Sequence, residues 1–232
     1  MTEQFADLQA RFYLNFIAED RWRFIVNGLG VTLRVTFFAL IMGLFLGFLV
    51  AIIRSTHDKT GKLKFFNVLC NVYLTVIRGT PVVVQLLILF FVVFPGGTSQ
   101  ILVAIVAFGI NSGAYQAEIF RSGIMAVDNG QFEAGRSLGF NYLKTMFYIV
   151  LPQAVKNILP ALGNEFIVLM KETSISGFIA LQDLTRAGDI IRSRTFDAFM
   201  PLLAVALIYL VLVVILSSLI KLLERRLRSS DH

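Results

Sequence analysis

The charged residues of this 232-residue chain are gathered into blocks, with long uncharged stretches between them. Residues 35–53 form a run of 19 without a charge, and residues 198–220 a run of 23. A helix needs ~20 apolar residues to cross a hydrocarbon core about 30 Å thick. Two such runs predict an all-α integral membrane protein. Extending the same reading gives five spans, at residues 24–54, 65–94, 100–127, 147–170 and 199–223. Arg78-Gly79-Thr80-Pro81 interrupts the second. Its first part, residues 65–77, makes only ~20 Å of helix, too short to cross alone, so the pattern predicts one broken span. Pro95-Gly96-Gly97 predicts a tight turn into the third span. The fourth is only weakly apolar, because it carries Gln153, Lys156, Asn157, Asn164 and Glu165. Residues 174–194 place Ile175, Phe178, Ile179 and Leu181 at near-helical spacing and are expected to lie along the membrane surface or dip into it.

Charge orients the set. The loop after the first span holds Arg54, Lys59, Lys62 and Lys64 against Asp58, and the C-terminal tail holds Lys221, Arg225, Arg226 and Arg228 against Glu224. Five spans put both on one side, and the positive-inside rule makes that side cytoplasmic. The N-terminus then lies outside, the C-terminus inside, and the polar insert at residues 128–146 falls in the cytoplasm without having been used in the assignment. Residues 1–23 carry Glu3, Asp7, Glu19 and Asp20 and no apolar core of their own, unlike a cleavable signal peptide. They read as an external segment, and residues 24–232 as a single transmembrane domain.

Composition narrows the chemistry. A net charge of +6 in a soluble protein points to nucleic acid, but here the positive residues flank membrane spans, and no basic run with interleaved aromatics occurs elsewhere. Nucleic-acid binding is not expected. Cys70, the one cysteine, can form no internal disulfide and reads as a small packing residue. There is no G-x-x-x-x-G-K-[ST] loop and no Cys/His cluster with metal spacing; His57 lies in a loop and His232 is terminal. The chain is expected to have no catalytic residues, no metal and no cofactor of its own.

Ionisable groups inside spans are costly and mark protein interiors or water-filled cavities. Three groups qualify. At Arg78-Gly79-Thr80-Pro81, a half-helix starting at the proline would turn its dipole-positive end into the bilayer centre, where transporters hold substrate carboxylates. Arg78 could add a cationic clamp, or serve a structural acid. On the fourth span Gln153, Asn157, Pro160 and Asn164 share one helical face, with Glu165 beside it. Gln153 and Asn157 read as interhelical hydrogen bonders. Glu165 needs a cation, which could be a substrate amino group, a basic side chain, or Arg78 itself. On the third span Asn111 and Ser112 lie level with the break. Gly109 and Gly113 offer a close packing face, and Glu118 reads as a local partner of Arg121.

One stretch falls outside this account. Glu133-Ala134-Gly135, then three residues, Gly139, nine residues, and Ile149-Val150-Leu151-Pro152 resembles the cytoplasmic EAA loop of ABC-importer membrane subunits. Residues 77–86, 110–115, 159–166 and 183–185, and Glu224-Arg225-Arg226-Leu227, are similar to the polar amino-acid branch of type I ABC permeases. The resemblance runs in order over residues 27–227. One departure is Gly135, which stands where the family has a second alanine and should loosen the helix by up to ~1 kcal/mol. The resemblance implies the type I ABC importer transmembrane fold in a bacterial inner membrane. It implies a pore of two such subunits, identical or close paralogues, with ABC ATPases that bind ATP and magnesium below and an extracytoplasmic solute-binding protein above. It assigns Glu133, Ala134, Gly135 and Gly139 to the ATPase contact. Arg78, Gly79, Thr80, Pro81, Asn111, Ser112, Asn164 and Glu165 would line the amino-acid cavity. Two other classes are consistent with parts of the pattern. A secondary transporter would also use a broken helix but usually has inverted repeats, and none is visible here. A non-transporting scaffold could recruit an ATPase through the same loop.

Overall fold

A computed structural model describes residues 2–228, so His232 lies outside the described residues. Those residues are almost wholly helical: α1 (Thr2–Phe12), α2 (Trp22–Thr60), α3 (Lys64–Gly79), α4 (Val82–Ile88), α5 (Gln100–Met125), α6 (Gly130–Ser137), α7 (Tyr142–Thr145), α8 (Leu151–Glu172), α9 (Leu184–Thr195) and α10 (Phe199–Arg228). Segments 22–58, 100–125 and 199–227 are each long and apolar enough to cross a membrane. A fourth candidate is the bent pair Lys64–Gly79 and Val82–Val93, whose two arms meet at 108°. The break expected at residues 78–81 is therefore a sharp corner. Pro81 caps α4 in extended conformation (ψ 133°), so the new helix starts one residue later than the proline itself. α8 falls short of the apolarity of the other spans because of its polar stripe, as its composition implied.

α2 and α5 form the centre. Glycine lets their backbones approach: a Cβ on Gly47 would lie 2.9 Å from the Ala117 nitrogen and 3.0 Å from the Gly113 oxygen. From the other side, Gly109 sits against Met42 and Gly113 against Leu46 and the Tyr73 hydroxyl. The Gly109/Gly113 spacing is thus a packing face, the use small residues commonly serve between membrane helices. Val35, Ala39, Leu86, Ala104, Ala107, Phe108 and Leu169 close the core around it. The outward faces are apolar: Phe45 is 69% exposed, and Phe37, Phe48, Leu207, Leu210 and Val214 each more than half. A belt of that extent fits hydrocarbon as its solvent, not water.

The bundle has two distinct ends. At one lie the end of α2, capped by left-handed Gly61, together with α6, α7, the start of α8 and the end of α10. The basic α2–α3 loop and the C-terminal basic segment therefore share an end, and the polar insert, whose own charges balance, lies there with them. At the other end lie α1, α9 and the starts of α2 and α10. Here the segment expected to lie along the membrane surface or dip into it packs against the bundle itself. Residues 173–179 form a short 3-10 stretch, and α9 is wedged between α2 and α10, with Leu184, Ala187 and Ile191 buried. The Gly28 Cα side abuts the Asp183 carbonyl and Ala187, while Gly188 abuts Val205. Two glycines make the wedge possible, and each meets its partner across helices: Gly28 of α2 meets Ala187, and Gly188 meets Val205 of α10.

Candidate functional site

Polar residues from the broken span, α5 and α8 meet inside the apolar bundle. Near the corner, the Gln85 amide donates to the Ile77 carbonyl (2.8 Å), the Thr80 carbonyl (3.1 Å) and the Thr80 hydroxyl (2.8 Å). Gln85 thereby satisfies the carbonyls that α3 leaves open where it ends. Its own oxygen accepts from Asn111 Nδ2 at 3.1 Å. One residue on, the Ser112 hydroxyl donates to Glu165 Oε1 at 2.8 Å and accepts from Gln116 Nε2 at 2.8 Å. Asn111, Ser112 and Gln116 are buried and Glu165 half-buried; Asn164, Gly79, Thr80 and Pro81 are exposed. Tyr73 anchors the corner's first arm by donating to the Ile110 carbonyl at 2.6 Å.

Arg78 does not join this line. Its nearest carboxylate is Glu118, at 3.8 Å, and its guanidinium lies over the Tyr115 ring, 5.5 Å from the centroid. The pairing of Arg78 with Glu165, one of the three options for that acid, does not occur. Glu118, expected to be a local partner of Arg121, serves three helices: it accepts from Arg54 of α2 at 2.8 Å and Arg121 of α5 at 3.3 Å, and attracts Arg78 of α3. Arg54, Asn71, Arg78, Gly79 and Glu118 line an open cavity of about 380 Å³. Among the described residues no basic side chain pairs with Glu165. Gln85, Gln116, Tyr73 and Arg54 were missed as site residues. The step of four from Ser112 to Gln116, one helical turn along α5, is the signal in the sequence that points to Gln116.

The polar insert folds as its spacing suggested, into a short helix, and its glycines have separate uses. Gly139 takes φ +78°. The Phe140 N–H reaches the Gly135 carbonyl (3.0 Å) and the Gly139 N–H the Arg136 carbonyl (2.9 Å). This double bond pattern closes a helix with a left-handed residue, where glycine avoids the Cβ clash. Asn141 then caps α7 by accepting from the Lys144 N–H at 2.9 Å. Gly135 is buried, and a Cβ there would lie 2.5 Å from Thr145 Cγ2 and Oγ1. The glycine in the motif's third position therefore faces its own chain. Glu133 and Ala134 are on the exposed side, next to Leu138, which is 70% exposed. Phe132 stacks on Tyr142 (centroids 5.9 Å, planes 2° apart) and fixes α6 on α7. Gln153 of α8 donates to Gln131 at 3.2 Å, joining the insert to the helix that carries Glu165.

Residues 39–229 match the family described as binding-protein-dependent transport system inner membrane component. The chain is 40% identical over 216 residues to the arginine transport system permease protein of Bacillus subtilis, covering 90% of this chain and 94% of that protein. It is 39% identical over 207 residues to a putative glutamine transport system permease protein of Rickettsia conorii, covering 88% and 93%. A crystal structure of an amino acid ABC transporter with histidines superposes with a TM-score of 0.81 at 43% identity, covering 88% of this chain and 94% of that one. An inward-facing methionine ABC transporter, 22% identical, shares the fold with a TM-score of 0.72 over 91% of this chain and 98% of its own.

Proposed function

We propose that this chain, which belongs to the family of inner membrane components of binding-protein-dependent transport systems and is a permease subunit of an ATP-driven amino-acid importer, moves a polar or charged amino acid inward by alternating access. Glu165 carries the reading: it is a half-buried carboxylate held by Ser112 with no basic side chain paired to it among the described residues. A substrate's amino or guanidinium group supplies the missing cation. The substrate carboxylate turns toward Arg78 and the first turn of α4, where helix N–H groups favour an anion. Gly79, Thr80, Pro81, Asn111, Ser112 and Asn164 complete the lining. This favours a cargo with a cationic or amide side chain, in keeping with the arginine and glutamine named for the relatives.

The end bearing the basic loops faces the cytoplasm of a bacterial cell, and the end bearing α9 faces outward. Exposed Glu133 and Ala134, with Gly139 shaping the turn and Gly135 seating α6 on Thr145, meet the ATPase subunit. ATP and magnesium bind there, not in this chain. Motion passes through the Gln131–Gln153 bond into α8 and so to Glu165. A second permease subunit completes the pore, and a solute-binding protein delivers cargo from outside.

Two substitutions test this. Glu133→Lys, on an exposed position, should leave the chain folded and abolish both ATPase association and ATP-driven uptake; intact uptake with no ATPase bound would favour a secondary transporter. Glu165→Gln should lower uptake or change selectivity with assembly intact. Loss of folding instead would make Glu165 a structural acid.

A further inference from the structure

The N-terminal helix shares no residue with the polar line from Gln85 to Glu165, yet side chains at its end bond to the bundle. Arg11 donates to both carboxylate oxygens of Asp197, from Nε to Oδ2 at 3.0 Å and from Nη2 to Oδ1 at 2.8 Å. Asn15, fully buried, donates to the same carboxylate at 2.9 Å and accepts from the Thr195 hydroxyl at 2.8 Å. These bonds pin α1 to the corner between α9 and α10, just ahead of the last span. Arg11 is the residue of α1 that takes part in them, and another face of the helix carries apolar side chains that are left exposed. Phe5, Leu8 and Phe12 follow one another by three and four residues and so share that face. They are 61%, 48% and 52% exposed. Tyr13 and Ile17 extend the apolar surface in the turn that follows.

This surface is continuous with the lipid-facing side of α10. Phe5, Leu8, Phe12 and Ile17 line a groove of about 580 Å³ whose other wall is Phe199, Met200 and Leu203. Below it the exposed side of α10 continues through Leu207, Leu210 and Val214. At the same level Trp22 is 44% exposed, with Arg23 5.6 Å from its ring, an aromatic and a cation of the kind that gather where hydrocarbon meets water.

We propose that α1 is an interfacial anchor: its Phe5/Leu8/Phe12 face and the groove against α10 hold acyl chains of phospholipid in the outer leaflet. An amphipathic helix with one apolar face binds at that depth by burying the face just below the headgroups. The Arg11–Asp197 clamp transmits the anchorage to α9, which is wedged on α2 through Gly28. The outer end of the bundle is thereby held at a set depth. The inference rests on the membrane placement of α10 and not on the identity of the cargo.

Nitroxide accessibility tests it. The full chain in a Cys70→Ala background, with Phe12→Cys or Phe5→Cys spin-labelled, is reconstituted in phosphatidylcholine/phosphatidylglycerol vesicles, and Leu207→Cys serves as the span control. Labels at 12 and 5 should show a several-fold excess of collisions with oxygen over a water-soluble nickel chelate, at a depth shallower than the label at 207. An excess of nickel collisions at 12 and 5, with 207 still in lipid, overturns the anchor while leaving the membrane reading intact. Shielding from both reagents assigns the face to a second copy of the chain and overturns it as well. So does shielding that appears only on adding a solute-binding protein.

Discussion

Replacing Glu118 by glutamine removes the one carboxylate shared by Arg54, Arg78 and Arg121 and leaves three guanidiniums near one another, that of Arg54 mostly buried and those of Arg78 and Arg121 44% and 41% exposed. At an effective dielectric of ~20, attraction to Arg54 at 2.8 Å is worth about 6 kcal/mol, to Arg121 at 3.3 Å about 5, and to Arg78 at 3.8 Å about 4. Those gross values are offset by desolvation and by repulsion among the arginines. Breaking a fully buried pair costs about 3–5 kcal/mol, whereas an exposed pair contributes about 0–1 kcal/mol. The Glu118 and Arg54 side chains are 27% and 21% exposed, which puts the cluster between these limits. A net loss of about 2–3 kcal/mol follows from that position. At about 2–4 °C per kcal/mol for a chain of this size, the unfolding midpoint should fall by about 4–12 °C. The assay is thermal unfolding of the purified chain in detergent, followed by size-exclusion chromatography. Adding Arg54→Gln should restore part of the loss, because it removes the closest orphaned cation, giving a coupling of about 1–2 kcal/mol in the double-mutant cycle. A midpoint unchanged by Glu118→Gln, or effects of the two substitutions that simply add, would refute the shared-acid account.

Ser112→Ala should cost about 1–3 kcal/mol, because fully buried Gln116 Nε2 would keep only the Leu40 carbonyl at 3.5 Å; urea titration of the chain in micelles measures it, and uptake should fall because Glu165 loses its hydroxyl donor. At Gly123 a new Cβ would meet Ile158 Cγ1 at 2.3 Å, so Gly123→Ala should destabilise by about 1–3 kcal/mol. Ile158→Ala added to it should recover stability, and thermal midpoints of the three variants decide. Hydrogen bonding to Arg11 holds the Asp197 carboxyl down at about 2 from its usual 3.8. A carboxylate depressed on folding stabilises above its unfolded pKa and loses that contribution as pH falls through the folded one. Docking of α1, read as amide exchange protection at Asn15, should therefore be full from pH 7 to about 5 and weaken progressively as the pH falls from about 4 to 2. Asp197→Asn should weaken it at pH 7.

Consecutive residues by themselves mark the three long apolar spans, the broken one, and the end of them that carries the basic blocks. Uncharged runs mark the spans and basic blocks mark one end of them, because membrane crossing depends on the composition of a contiguous segment. The corner at residues 78–81 and the α6 turn at Gly139 are legible for the same reason, since proline and glycine act on their own backbone. The tertiary structure decides who meets whom. By spacing Glu118 is the neighbour of Arg121; in the fold it is also the partner of residues 54 and 78. Glu165 finds Ser112, 53 positions away, and not Arg78. Gly135 reads in sequence as a weakened contact for another protein, yet its missing side chain makes room for Thr145. Arg11 reaches Asp197 across 186 positions. Such contacts depend on how closely helices approach, and that distance is set by glycines on one helix facing particular side chains on another, a pairing that no single segment contains.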